Sequence, residues 1–516
     1  MTIPRPAAWP RLSLLCAFLS PTVALAADGF RDLTVRLDHP VDAAPIDMRL
    51  ADGAGLVAIG RDEGSWRFSI VSLTDGTVAA TGEVPADAIF YDTGDLAGEG
   101  TDQLLFFTER GIAALAPGAG ATRPITSFES IYHGRSKQVL PHSDFARDVD
   151  GDGADDLLVP QFEGWLVARR DGDGFRHSLL EIRPQVDVYE TRVSYRPRAP
   201  RPGDVDGDGL EDVVFLEDKH FVSFVQLEGG GFETTARRDA IDSPLASEEE
   251  LALWERDDGQ IDQSDLEVEE VELVQDFTDD GIPDLLTDKS ISEGVLDRRS
   301  EYHLYIGRRE NGALVYGETP DGSILSDGVQ FDPLVVDVDG DGRMDLATPS
   351  TQLGLTRIVA ALFSGKMGVD LDVYRMRPDG TYPEDSDYRT RFKVEFDLKT
   401  GLVRNPAVAI ADFDGDGAAE LLLQEEDGAL SLYPGRQGGK LFGDEARTVE
   451  LPLPRNGVMV EARDLDGDER ADLLVRYGPA DGAERLGELR ILLSDPAGLS
   501  LIHISEPTRR ACRSRM

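Results

Sequence analysis

The sequence predicts an all-β protein: a single β-propeller of seven or eight four-stranded blades, eight being the better count, with calcium loops in the blade hairpins. Three observations carry this prediction. A nine-residue acidic loop recurs six times, each copy leads straight into a short apolar run, and the copies stand a blade's length apart.

The clearest copy is Asp337, Asp339, Asp341, Gly342 and Asp345, with carboxylates at positions 1, 3, 5 and 9 and glycine at 6. Such a loop wraps oxygen ligands around a hard cation such as Ca²⁺, and glycine relieves its tight turn. Two carboxylates about 4 Å apart repel by roughly 4 kcal/mol at an effective dielectric of about 20, so four of them converging without a cation would push the loop open. The pattern repeats as Asp148, Asp150, Asp152, Gly153, Asp156; as Asp204, Asp206, Asp208, Gly209, Asp212; and as Asp412, Asp414, Asp416, Gly417, Glu420. Two copies deviate. Asp276, Thr278, Asp280, Gly281, Asp284 exchanges one carboxylate for a hydroxyl and should bind more weakly. Asp464, Asp466, Asp468, Asp472 has Glu469 where glycine belongs and should carry backbone strain. A seventh stretch, Asp95, Ala97, Glu99, Gly100, Gln103, keeps the turn but has lost two acidic positions and reads as a relic that holds no metal.

An EF-hand loop begins the same way but needs a glutamate at position 12 and a helix on each side. Position 12 here is Val159, Phe215, Thr287, Thr348, Leu423 or Val475, and the loops run into strands such as Leu157-Leu158-Val159 and Leu421-Leu422-Leu423. The loop starts at 95, 148, 204, 276, 337, 412 and 464 are 53, 56, 72, 61, 75 and 52 residues apart, room for about four strands each.

In chain order, residues 1–26 read as a secretory signal peptide. Arg5 and Arg11 precede an apolar run from Leu12 to Leu19, and Ala24-Leu25-Ala26 offers a cleavage site. The mature chain is then expected to be exported and soluble, in the periplasm, at the cell surface or outside the cell. Phe30 to Asp38 alternates like a strand, and residues 45–92 form hairpins without an acidic loop, a degenerate first blade. Closure of the ring calls for residues 30–38 to pair with 488–493. Two insertions interrupt the rhythm. In 240–272, Ser247-Glu-Glu-Glu250 is a capping box that predicts a short helix carrying Trp254, and residues 368–405 lengthen one blade with hairpin material that includes Tyr374, Tyr382 and Tyr388. Residues 499–516 resemble a translated sequencing-library adapter, since CTGTCTCTTATACACATCT reads in frame as Leu-Ser-Leu-Ile-His-Ile, and they are set aside as non-native.

Setting both ends aside removes six arginines and one glutamate, which takes the net charge from −46 to −51 for residues 27–498, and removes both cysteines. Six calcium ions would offset only part of that charge. Nucleic acid and anionic membrane surfaces are poor partners for such a chain, and disulfides have no part in its fold.

Six loops of this form at blade spacing resemble the FG-GAP/VCBS repeat family, best known from the calcium-binding blades of integrin α-subunit propellers. The resemblance covers residues 45–498. It implies a propeller used as an adhesive or binding platform, as a lectin, or as a scaffold joined to an enzyme. It also implies that calcium loops join the first two strands of each blade while partners bind the opposite face, the face that would carry the 240–272 insertion.

Calcium is expected to staple blades rather than to signal, since position 9 leads directly into a core strand. His133 and His142, flanking Arg135 and Lys137, would offer a small anionic site, but ordinary surface polarity is the preferred reading. Glu248, Glu249 and Glu250 read as a solvated helix face. No catalytic motif stands in its proper context. The favoured function is a monomeric, non-catalytic binding or scaffold protein for a protein or glycan ligand. The alternative is a secreted enzyme acting on carbohydrates or phosphoesters from the face opposite the calcium loops.

Overall fold

The structure, a computed structural model, describes residues 23–25, 29–115, 122–134, 139–172, 174–189, 192–254, 265–293, 298–310, 313–325, 329–352, 355–397, 402–425 and 428–495. The expected tail 499–516 and nearly all of the expected signal segment lie outside the described residues. Only Val23–Leu25 of that segment is described, as a short strand against Phe30–Arg36.

Eight antiparallel sheets follow one another around a ring. In chain order the blades span residues 46–83, 88–127, 146–180, 201–240, 265–325, 329–404, 408–449 and 460–494, and are called blades 1 to 8. The degenerate first blade is real, formed by Ile46–Leu50, Gly53–Asp62, Ser65–Ser72 and Val78–Glu83. Blade 8 supplies only Val460–Arg463, Asp472–Arg476 and Glu488–Ser494 from its own stretch, and Phe30–Arg36 completes it. The pairing runs from Phe30↔Ser494 to Arg36↔Glu488, the closure expected from the sequence.

What the ring buries explains why the middle strands are continuous apolar runs rather than alternating ones. Every residue of Asp156–Pro160 is buried, because each sheet is covered on both faces by its neighbours. Among the described residues, eight apolar clusters each span two adjacent blades. One joins Leu56 and Val71 of blade 1 to Leu474 and Ile491 of blade 8, so the ring is sealed as well as paired. The fourth strands face outward and return to alternation, as in Val78–Glu83.

Strand direction alternates within each blade, so connections between strands 1 and 2, and between 3 and 4, share one face of the ring. Those between strands 2 and 3, and from strand 4 to the next blade, share the other. The predicted helix, α1 (Glu248–Trp254), lies between blades 4 and 5 on this second face. Its capping box is formed: Ser247 Oγ accepts the Glu250 N–H at 3.2 Å, and Glu250 accepts the Ser247 N–H at 2.7 Å. The blade 6 insertion begins earlier than the sequence suggested, with an unforeseen helix, α2 (Leu355–Ser364), between strands 2 and 3. Among the described residues no helix is long and apolar enough to cross a membrane.

Closure can be tested at Leu33, which is 1% exposed and faces Ile491 across the ladder. Leu33→Ala should cost about 2–5 kcal/mol in urea unfolding, the range for a buried leucine. A loss below about 0.5 kcal/mol, typical of a surface change, would place this strand outside the core.

Candidate metal centres

Each acidic loop is folded by its own carboxylates. The position-1 aspartate accepts main-chain N–H groups from positions 4 and 6: Asp148 from Gly151 at 2.7 Å and Gly153 at 2.9 Å, with the same pair of contacts at Asp204, Asp337, Asp412 and Asp464. Position 5 accepts the N–H two residues on, as Asp152 does from Ala154 and Asp280 from Ile282, both at 2.9 Å. Two left-handed residues, at positions 4 and 6, make this wrap (Gly340 φ 73°, Gly342 φ 88°). Sequence reasoning saw the need at position 6 and missed position 4. Glu469 (φ 67°) and Asp279 (φ 60°) adopt that conformation without being glycine.

Position 9 ties the loop to the rest of its blade. Asp472 accepts the N–H of Leu465 at position 2 (3.0 Å) and of Ser494 at the end of strand 3 (2.7 Å). Asp345 does the same with Val338 and Met376, and Asp212 with Val205 and Gln226. Glu420, one methylene longer, takes Phe413 at 2.8 Å and Gly435 at 3.3 Å.

In five loops, oxygens of positions 1, 3 and 9 lie within 4.8 Å of one another: Asp148, Asp150 and Asp156; Asp204, Asp206 and Asp212; Asp337, Asp339 and Asp345; Asp412, Asp414 and Glu420; Asp464, Asp466 and Asp472. These close groups are formed by positions 1, 3 and 9. Position 5, counted as a fourth ligand from the sequence, also shapes the turn, since one oxygen each of Asp152, Asp208, Asp341, Asp416 and Asp468 accepts the N–H two residues on. Several converging oxygens have no hydrogen-bond partner although buried: Asp150 Oδ1, Asp156 Oδ2, Asp339 Oδ1 and Asp466 Oδ1. Acceptor-only oxygens left over in this way suit a hard cation. Electrostatics agree. Burial, and then neighbouring Asp150 and Asp152, push Asp156 up to about 8. Burial likewise takes Glu420 to about 8 and Asp284, Asp345 and Asp472 to about 7, against main-chain N–H groups that pull them down.

The Asp276 loop differs as its sequence implied. Thr278 Oγ1 donates to Asp284 at 3.3 Å, so a hydroxyl satisfies an oxygen that a third carboxylate would repel. In the relic, Asp95 takes the N–H groups of Ala97, Glu99 and Gly100, which holds the turn without a carboxylate cluster. Arginines were the partners that the sequence did not reveal. Arg169 reaches Asp150 at 2.6 Å, Arg375 reaches Asp339 at 3.2 Å, and Arg309 of blade 5 reaches over to Asp204 of blade 4 at 3.4 Å. They come from strand 3 or just beyond it at no constant spacing, so no pattern marks them.

The loops also touch across blades. Main-chain N–H groups at position 8 donate to the preceding blade's loop: Asp155 to Asp95, Met344 to Phe277, Ala419 to Val338 and Ala471 to Asp412, at 2.7–2.9 Å. His39 is buried against Ser69 and Pro40, and His142 Nε2 lies 3.1 Å from Asp92, while Arg135 and Lys137 lie outside the described residues. Glu248 is paired with Arg198.

A family model for FG-GAP-like repeats matches residues 148–235 and 412–475, the loops of blades 3, 4, 7 and 8, and these stretches are FG-GAP-like repeats. No curated protein sequence matches the chain. Among solved structures, the chain is similar to an Agrocybe aegerita lectin described as recognising non-reducing terminal N-acetylglucosamine (16% identity, TM-score 0.40, covering 83% of this chain and 91% of that one). It is also similar to the V. cholerae biofilm matrix protein Bap1 (12%, 0.35, 93% and 92%) and to a putative 6-phosphogluconolactonase from Bacteroides uniformis (13%, 0.31, 67% and 87%). At such low similarity none of the three bears on what this chain binds.

Two measurements probe the loops. Glu469→Gly should leave stability level or raise it, whereas Gly417→Ala, which forces a methyl group into the same left-handed conformation, should lower it by roughly 1–2 kcal/mol in urea. Equal effects would remove the strain argument. The second is a pH series. Without a cation, the raised position-9 carboxyls hold protons that the unfolded chain releases near its ordinary carboxyl range. Their stabilising contribution is therefore complete below about pH 4 and is lost as pH rises through about 7 to 8. The melting temperature in EDTA should fall between about pH 4 and about pH 8, and millimolar calcium should flatten that fall. A melting temperature that rises over this range in EDTA would contradict the assignment.

Proposed function

We propose that this chain is an exported, calcium-stabilised propeller that acts as a monomeric, non-catalytic binding or scaffold protein. Its six loops, the Asp276 loop weakest, hold calcium as structural staples, and its ligand sits on the opposite face. The observation that carries this reading is the uneven placement of exposed apolar side chains. On the face away from the acidic loops stand Val186, Val188, Val193 and Tyr195 of the hairpin between blades 3 and 4, and Phe162, whose ring meets Tyr195 at 5.0 Å. Val359, Leu362 and Phe363 of α2 join them, Phe363 at 89% exposure. Within the connections on the loop face, Leu227 is the large exposed apolar residue among those described. Apolar side chains gathered on one face of a rigid ring mark an interaction surface.

A second reading has one observation in its favour. Asp288, facing Glu270 across strands 1 and 2 of blade 5, is pushed up to about 6 by burial and by Glu270 and Glu272, and its Oδ1 is buried without a partner. A carboxyl poised near neutrality suits a general acid in a carbohydrate- or phosphoester-cleaving enzyme.

Glycan and peptide arrays probed in millimolar calcium separate the two. Binding that weakens at least about tenfold in Val188→Asp/Phe363→Asp and not in Leu227→Asp supports the binding face. Turnover of chromogenic glycosides or phosphoesters that disappears in Asp288→Asn would replace it with the enzyme.

A further inference from the structure

In a chain of 98 acidic and 52 basic residues, one cavity has a mainly basic charged lining. Between the upper ends of blades 6 and 7, on the face opposite the acidic loops, lies a cavity of about 270 Å³. Its charged lining is Lys366, Arg391, Lys393, Arg404 and Arg455 against Glu395 and Glu425. Five of seven charged residues are basic where the overall composition would give between two and three. They come from separate segments that the fold brings together: the start of strand 3 and the end of strand 4 of blade 6, its short fifth strand Leu402–Arg404, and the connection from blade 7 to blade 8.

Two of the basic groups, Lys366 and Arg391, are held by carboxylates of the sheet. Lys366, Glu395 and Arg404 form one row across three strands, with Lys366 Nζ 2.6 Å from Glu395 and Arg404 at 3.9 Å, beyond hydrogen-bond length. Asp370 grips Arg391 through two contacts of 2.5 and 2.6 Å. The main chain at Arg455 is tied by its N–H, which donates to Asp481 at 2.7 Å. A cavity of 270 Å³ is below the roughly 300–1,000 Å³ that holds a drug-sized ligand, so it suits one charged residue of a longer chain. A second cavity, of about 430 Å³, shares Lys366 and Arg391 and runs beneath α2 past Ala361, Leu362 and Phe396. Together they give an anion pocket with an apolar extension.

We propose that this cleft binds an acidic saccharide, seating a carboxylate or sulfate group among Lys393, Arg404 and Arg455 and laying the adjoining sugar against the α2 side. The proposal rests on the reading above that this face binds ligands, and it names the ligand class. A recessed pocket favours a chain-like ligand over a flat lipid surface, which the remaining acids would repel. Carboxylate and sulfate groups each offer a pair of anionic oxygens that matches the guanidinium fork of arginine.

The test is titration calorimetry of the full chain in millimolar calcium with oligogalacturonate, sulfated dextran, neutral dextran and phosphatidylglycerol vesicles. The expected result is binding of oligogalacturonate, sulfated dextran or both, weakening as salt is raised. In Lys393→Glu/Arg455→Glu it should fall at least about tenfold at unchanged melting temperature. Which acidic probe binds identifies the group. If the charge reversal unfolds the protein, Lys393→Gln/Arg455→Gln serves in its place. Neutral dextran binding as tightly, or vesicles binding while saccharides do not, would overturn the proposal. So would acidic saccharides that survive the double substitution yet are lost in Val188→Asp/Tyr195→Asp. That outcome moves the site and leaves the binding-face reading intact, whereas silence from every probe and from the arrays removes both.

Discussion

One ladder of seven residue pairs decides whether this chain is a ring or an open stack. Phe30–Arg36 lies against Glu488–Ser494, and the alternation of its side chains serves two interfaces at once. Phe30 turns toward blade 7, with its ring edge-on to Phe413 at 6.2 Å, while Leu33 and Val35 enter the core shared with blade 1. A slip of one residue would send each set to the wrong neighbour, so the register is fixed by apolar burial on both sides. Polar contacts reinforce it: Arg490 pairs with Asp32, and Arg31 donates to the Leu73 carbonyl at 3.0 Å across the blade 8 to blade 1 boundary. Without this strand, blade 8 would expose a sheet edge and blade 1 would lose part of its cover.

The acidic loops act on the same interfaces from one end of the ring. Position 2 is always apolar and buried: Val149, Val205, Phe277, Val338, Phe413 and Leu465. Position 8 donates to the previous loop in several blades, and position 9 clamps the end of strand 3. A loop therefore belongs to its own blade and to its neighbour, and whatever neutralises its converging carboxylates steadies a contact between blades. Blade 1 has no such loop, and ion pairs take over at its borders. Arg463 of blade 8 reaches Asp47, and Arg49 meets Asp102 of blade 2 at 2.8 Å.

The repeat was legible because one short motif, in which each position has a distinct physical task, marks every blade from the third onward. The spacing of that motif, the apolar runs behind it and the capping box at Ser247 were enough for the ring, the closure strand and α1. What stayed hidden has physical reasons. Position 5 looks like a ligand by residue type, and one of its two oxygens also accepts a main-chain N–H two residues on, a second task visible only in three dimensions. Helix α2 has no capping signal and an apolar stretch too short to tell from a strand. The arginines that meet the loop acids, and the cations gathered between blades 6 and 7, come from segments far apart in sequence, so proximity rather than pattern makes them a group.

The irregular spacing of the loops follows from the division of the ring into two faces. The two longest intervals, of 72 and 75 residues, contain α1 with its flanking stretch and α2 with the extended strands of blade 6, all in connections away from the acidic loops. Additions there leave untouched the position-9 carboxylates and the contacts between loops, because those sit at the other ends of the strands. Insertions on the loop face meet a stricter limit. The small hairpin Arg308–Glu310 and Ala313–Val315 is one, and it brings Arg309 onto the neighbouring loop, so it is tied into the acidic side rather than projecting freely. The contacts between loops at one rim thus leave the connections at the other free to differ in length, apolarity and charge.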